Sequence, residues 1–154
     1  MTRLGKAVAA LIAGVSILFG AGSLPSWGAP TAPVAITVYK SPACTCCEQW
    51  IKHLRANGFE VLIKEVSDTS EMKHKLGVPP ALASCHTATI QGYVIEGHVP
   101  AASIKRLLRE RPAVAGLAVP GMPASAPGMD SPAAQPYTVL TFTADGRSAD
   151  YEHH

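Results

Sequence analysis

Val34-Ala35-Ile36-Thr37-Val38-Tyr39-Lys40-Ser41-Pro42-Ala43-Cys44-Thr45-Cys46-Cys47 decides the fold, because a strand pattern here runs straight into a helix start. β-Branched and aromatic residues alternate over 34–39, as in a half-buried strand. Ser41-Pro42 reads as the helix entry, with Ser41 the expected cap and Pro42 in the first turn, where a missing N–H is tolerated. Residues 48–57 continue the helix, with Cys47, Trp50, Ile51 and Leu54 on one face, and Gly58 stands where helices end.

Working outward, residues 60–66 predict a second strand, with Val61, Ile63 and Val66 as its apolar positions. A short helix is expected over 70–76, capped by Ser70 and stopped by Gly77, and Val78-Pro79-Pro80 forces an extended turn. Residues 84–90 and 93–96 predict a hairpin across Gln91-Gly92, and a last helix over 101–111 ends at Pro112. Two strands joined through a helix imply a parallel pair, and the hairpin adds antiparallel strands. The expected class is α/β and thioredoxin-like: a mixed central sheet with flanking helices, the cysteines opening the first helix and Pro79-Pro80 preceding Cys85.

The remainder differs in composition. Residues 113–136 are rich in Pro, Gly and Ala and include Gly121-Met122-Pro123 and Pro127-Gly128-Met129. A flexible linker is the plain reading, but residues 137–143 predict an extra strand closed by Asp145-Gly146, which ties down both ends of the segment. A long ordered loop is more often functional than not.

Compartment decides what cysteines can mean. Arg3 and Lys6 precede an uncharged apolar run over 7–19, and Ser26 and Gly28 provide small residues for cleavage after Gly28. Residues 1–28 are therefore expected to be a secretory signal; the run is shorter than the roughly 20 residues of a membrane span, which argues against a retained anchor. About 125 residues remain, enough for one domain, divided into a core over 34–112 and a loop-plus-strand unit over 113–154 that packs on it. Removing Arg3 and Lys6 from the 13 basic residues leaves 11 against 11 acidic ones. That balance, with no basic run, excludes a nucleic-acid binder, and no stable membrane association is expected after cleavage.

Four cysteines in an oxidising compartment could simply form two disulfides. Cys44 and Cys47 also have the spacing of a thiol–disulfide exchanger, and a helix N-terminus favours their thiolates. Cys46 is the discriminating residue, since an exchanger has no use for a third thiol and risks mispairing with it. At about 100° per residue Cys46 points away from Cys44 and Cys47 if all three are helical. Three sulfurs converge only if Cys44 lies on the loop before the first turn; otherwise they could bridge several ions. Cys85 would approach from the neighbouring strand. Thiolates with thioethers favour Cu(I) over structural zinc. Met122 and Met129, both in Gly/Pro turns, are candidate thioether ligands that the sequence does not separate, while Met72 reads as a packing residue. His86 adjoins Cys85 but is expected on the opposite strand face. His98 lies in the loop entering the last helix, His53 and His74 read as solvated helix positions, and His153-His154 could hold metal only loosely. No catalytic residue, triad, paired carboxylates or phosphate loop stands out.

Tyr39-Lys40-Ser41-Pro42 with Cys44-Thr45-Cys46-Cys47, Gly77-Val78-Pro79-Pro80, Ser84-Cys85-His86-Thr87, residues 92–100 and residues 116–123 together resemble the CopG-like proteins, a family once catalogued as a domain of unknown function and associated with bacterial copper resistance. The resemblance spans residues 34–151. It implies a periplasmic, thioredoxin-like protein holding copper, as a multinuclear Cu(I) site, through Cys44, Cys46, Cys47 and Cys85, with Met122, Met129 and His98 as further ligands. It also implies Cu(I)/Cu(II) interconversion beside copper export and oxidase proteins. A redox-active site does not by itself establish enzymatic turnover. A thiol–disulfide oxidoreductase using Cys44 and Cys47 is the alternative.

Overall fold

The computed structural model describes residues 32–129, 131 and 135–154, so the expected signal over 1–28 lies outside the described residues. The elements run β1 Val34–Lys40, α1 Thr45–Ala56, β2 Phe59–Glu65, α2 Thr69–Lys75, a 3-10 turn Pro80–Leu82, β3 Thr87–Ile90, β4 Tyr93–Glu96, α3 Ala101–Glu110, β5 Gly116–Ala118, β6 Thr138–Phe142 and β7 Ser148–His153. They build a seven-stranded mixed sheet in the order β2-β1-β3-β4-β5-β6-β7. β1 pairs parallel with β2 and antiparallel with β3, and β3 pairs antiparallel with β4. The parallel β1–β2 pair and the antiparallel β3–β4 hairpin are those the sequence predicts. β5 then runs parallel to β4, and β6 and β7 add antiparallel strands.

Side-chain alternation sends the core to both faces of the sheet. On one face Ile36, Val38, Ile95, Leu117 and Val139 pack with Trp50, Ile51 and Leu54 of α1 and with Ile104 and Leu107 of α3. Val94, Ala118 and Phe142 face the other way and meet Val78 and Leu82 beside α2. α1 buries the four residues expected of it, Cys47, Trp50, Ile51 and Leu54. The hairpin turns on Gln91 and Gly92, both at positive φ (45° and 89°), as a two-residue turn matched to strand twist demands.

Several local expectations are corrected. Ser41 does not cap α1: its carbonyl accepts the Cys44 N–H (3.1 Å), closing a turn that delays the helix, so Cys44 becomes the N-cap. Asp68, not Ser70, caps α2, because its carboxylate reaches the Ser70 and Glu71 amides (2.8 and 3.1 Å). β2 lies at the sheet edge and buries only Phe59 and Val61, leaving Ile63 exposed. β3 begins at Thr87 rather than 84, so Cys85 and His86 sit on a loop. β5 and β7 were not expected. β5 is three residues inside the Pro/Gly/Ala stretch, held between β4 and β6, and β7 is a polar edge strand tied to α3 by Ser103 donating to Glu152 (2.5 Å).

The loop after β5 returns across α1. Gly128, at φ +85°, lies so close that a Cβ there would stand 2.5 Å from the Trp50 amide nitrogen. Both the backbone conformation and the contact exclude a side chain. Gly128→Ala is therefore expected to cost about 1–3 kcal/mol, read as a lower midpoint in thermal unfolding; an unchanged midpoint would contradict this packing.

Candidate metal centre

The centre forms where the start of α1, the loop before β3, the turn before α3 and the loop after β5 meet. Cys44 is extended (φ −79°, ψ 96°) and stands outside the first turn of α1. This is the condition under which three sulfurs of a C-x-C-C run can converge. Cys44 Sγ lies 3.6 Å from Cys46 Sγ, and Cys46 Sγ lies 3.8 Å from Cys85 Sγ. All four sulfurs lie within 4.8 Å of one another. Cys44 and Cys47 are joined as a disulfide, whereas Cys46 and Cys85 are free thiols.

Two buried charge clusters fix the loops that carry the sulfurs. Lys40, only 1 % exposed, donates to the Ser41 carbonyl (3.1 Å) and pairs with Glu48 (2.9 Å) and Glu65 (3.8 Å), which anchors the chain between β1 and α1. On the other side Glu96 is fully buried at the end of β4. Its carboxylate accepts the Ser84 N–H (2.6 Å), the Thr87 hydroxyl (2.6 Å) and the Lys73 ammonium (2.7 Å). One carboxylate thus ties down both flanks of Cys85-His86, and Lys73 keeps its charge paired, as burial demands.

His98 lies beside the cysteines, with Nε2 3.2 Å from Cys85 Sγ. Its Nδ1 meets the Pro127 carbonyl at 2.8 Å, and a carbonyl only accepts, so Nδ1 carries the proton and Nε2 presents its lone pair to Cys85. Burial lowers the pKa of His98, an effect the Pro127 bond opposes. His86 is corrected: it faces the centre, with Nδ1 3.2 Å from Cys85 Sγ. The expectation assumed strand alternation, which does not apply before Thr87. Burial above all, then the charges of His98 and Lys73, holds the His86 pKa well below the ordinary histidine value. Its ring packs on Trp50 (centroids 4.3 Å apart), and Nε2 has no hydrogen-bond partner among the described residues.

The two methionines separate. Met129 packs on the core and lines a small open pocket with Thr45, Cys46, Gln49 and Gly128. Met122 is 57 % exposed. Met72 is half-buried on α2. His53 is not a free solvated position, because its Nε2 accepts the Ala101 N–H at the start of α3 (3.0 Å). His153 and His154 lie on and just beyond β7, paired with Asp150 and Glu152 (3.6 Å each). The buried Lys40, Lys73 and Glu96 and the role of Trp50 were missed by sequence reasoning. The available signal was a Glu closing an otherwise apolar strand, Tyr93-Val94-Ile95-Glu96, immediately before Gly97-His98.

Burial first, then the neighbouring Cys46, pushes the Cys85 thiol up to about 12. Cys85 is therefore a protonated thiol at neutral pH, and a metal must displace that proton, so affinity at this sulfur rises with pH. Alkylation of Cys85, followed by mass spectrometry, is expected to keep accelerating through about pH 10 and to run faster at a given pH in Cys46→Ser. A plateau near the ordinary value of 9.0 would contradict this assignment.

Comparison with known proteins places this geometry. The family model described as "Protein of unknown function, DUF411" matches residues 82–129, the stretch that carries Cys85, His86, Glu96, His98, Met122 and Met129. Two solved structures of the copper resistance protein CopG, Form 1 and Form 2, each share 46 % identity with the chain. Each alignment covers 79 % of this chain and 98 % of the other, with a TM-score of 0.75. No curated protein matches the chain. The clustered cysteines fit copper binding.

Proposed function

This chain belongs to the family of the copper resistance protein CopG, and from that premise we propose that it is an exported copper-homeostasis protein that holds Cu(I) on Cys44, Cys46, Cys47 and Cys85. The observation that carries this reading is the gathering of four sulfurs within 4.8 Å. Soft thiolates select Cu(I), and neighbouring sulfurs 3.6–3.8 Å apart already stand at the spacing of thiolates that share an ion. Met129, beside Cys46 at the pocket, is the preferred thioether ligand, with Met122 second, and His98 completes the set. Reduction of the Cys44–Cys47 disulfide must precede use of all four thiolates.

Interconversion of Cu(I) and Cu(II) is part of the same reading. Two Cu(II) ions would accept the two electrons that the Cys44 and Cys47 thiols release on forming their disulfide, becoming two Cu(I) ions while two protons leave to solvent. Residues 1–28 act as the signal that sends the protein to the periplasm. Among the described residues no helix is long and apolar enough to cross a membrane. Residues 34–112 form the metal-binding core, and residues 113–154 pack on it and bring Met129 to the centre. Periplasmic copper export or oxidase proteins are the proposed partners.

A second reading has a specific observation in its favour: the disulfide joins Cys44 to Cys47, the pair a thiol–disulfide oxidoreductase would use. Anaerobic Cu(I) titration with metal analysis separates the two, using reduced wild type and Cys46→Ser. The copper reading expects more than one Cu(I) per chain and a reduced loading in Cys46→Ser. Unchanged loading in Cys46→Ser, together with full activity on a disulfide substrate, would favour the exchanger.

A further inference from the structure

β2 is an outer strand of the sheet, paired with β1 on one side only. Such an edge is a template for another strand, and proteins ordinarily blunt it with charge. β2 instead carries two of the three large apolar side chains exposed among the described residues, Leu62 (50 %) and Ile63 (39 %). The opposite edge, β7, has none and carries Asp150 and Glu152. We propose that the β2 edge is a self-association surface, on which a second copy of this chain pairs antiparallel about a two-fold axis through Leu62. The proposal draws on no part of the copper reading.

Phe59-Glu60-Val61-Leu62-Ile63-Lys64-Glu65 is complementary to itself in that register. Leu62 meets its own copy, and Glu60 and Lys64 stand opposite the partner's Lys64 and the partner's Glu60, all on one face of the sheet. On the other face, where Phe59 and Val61 pack with α1, Val61 meets the partner's Ile63 and covers it. Opposite charges and apolar pairs stabilise facing strands, whereas like charges oppose pairing. An axis through Glu60 or through Lys64 would set like charges against each other. An axis through Val61 or Ile63 would leave neither Glu60 nor Lys64 opposite a charge. Only the axis through Leu62 forms both ion pairs.

The backbone agrees with this register. Lys40 stands opposite Glu65, and its carbonyl accepts the Val66 N–H (2.9 Å). Alternation along the strand then turns the N–H and C=O groups of Val61 and Ile63 away from β1. Each can exchange both backbone bonds with its opposite number in the second copy, and Leu62 falls at the close, non-bonded position between them. Among the described residues the Val61 carbonyl accepts only a long bond from Arg55 (3.4 Å), an exposed side chain that must swing aside. The axis points β1 of the two copies in opposite directions, so their metal centres, beyond the ends of β1, lie at opposite ends of the joined sheet. A single strand pair is a small interface, below about 1,200 Å², so the association is weak and depends on concentration.

Sedimentation equilibrium on the purified chain tests this, with chelator and reductant present so that neither metal nor intermolecular disulfides join copies. A monomer–dimer equilibrium is expected. Glu60→Lys and Lys64→Glu should each weaken it at least about tenfold, whereas an equimolar mixture of the two variants should dimerise again, because each then meets the opposite charge. The double variant should likewise recover the wild-type equilibrium. Both side chains are exposed, and circular dichroism checks that the variants stay folded. A chain that remains monomeric up to about 1 mM would overturn the proposal. So would a mixture of the single variants that stays monomeric, or a dimer that Glu60→Lys leaves intact, which would place the interface on another face.

Discussion

Trp50 is the contact on which the rest of the centre depends. It is fully buried on α1, three residues beyond Cys47, and it touches every segment that brings a donor. Its indole N–H donates to the Val99 carbonyl at 2.9 Å, which fixes the turn carrying His98. Its ring supports His86, and its backbone is the surface against which Gly128 lies, one residue before Met129. A large aromatic with a polar handle is suited to this, because the ring supplies apolar area while the N–H finds a partner in the interior. The helix that opens with the cysteines therefore also aligns the histidines and the methionine loop.

The buried charges do a different job. A lone Glu96 or Lys73 inside the protein would be strongly unfavourable, but together, with Thr87 and the Ser84 amide, they satisfy one another. What this network secures is the irregular backbone of residues 84–86, which no sheet ladder holds. Lys40 does the same for residues 41–44. Cys44 and Cys85 thus sit on irregular backbone beside the Cys46 and Cys47 that open α1, and ionic contacts tie that backbone to the elements around it.

Much of this was legible in the sequence. The alternation over 34–39, the helical face of Cys47, Trp50, Ile51 and Leu54, and the Gln91-Gly92 turn are local signals, and the elements follow them. Cys44, Cys46, Cys47, Cys85 and His98 were also singled out, and the fold brings them together. What escaped depended on partners distant in sequence. β5 is too short and too Gly/Ala-rich to declare itself and exists because β4 and β6 flank it. β7 carries no apolar alternation because it is an edge. His86 was misplaced because β3 begins three residues later than expected, at Thr87, so strand alternation does not apply to it. Met122 and Met129 look alike in sequence, and only the close pass of Gly128 over α1 distinguishes them.

The centre gathers four sulfurs beside two buried imidazoles, with Met129 lining the neighbouring pocket, on a scaffold whose Cys44 and Cys47 are joined as a disulfide. That combination of donors is suited to copper. The most direct test is copper K-edge X-ray absorption on the reduced, Cu(I)-loaded protein. The account predicts a first shell dominated by sulfur, with a copper–copper contribution if several ions are bridged. A first shell of nitrogen and oxygen alone would contradict it.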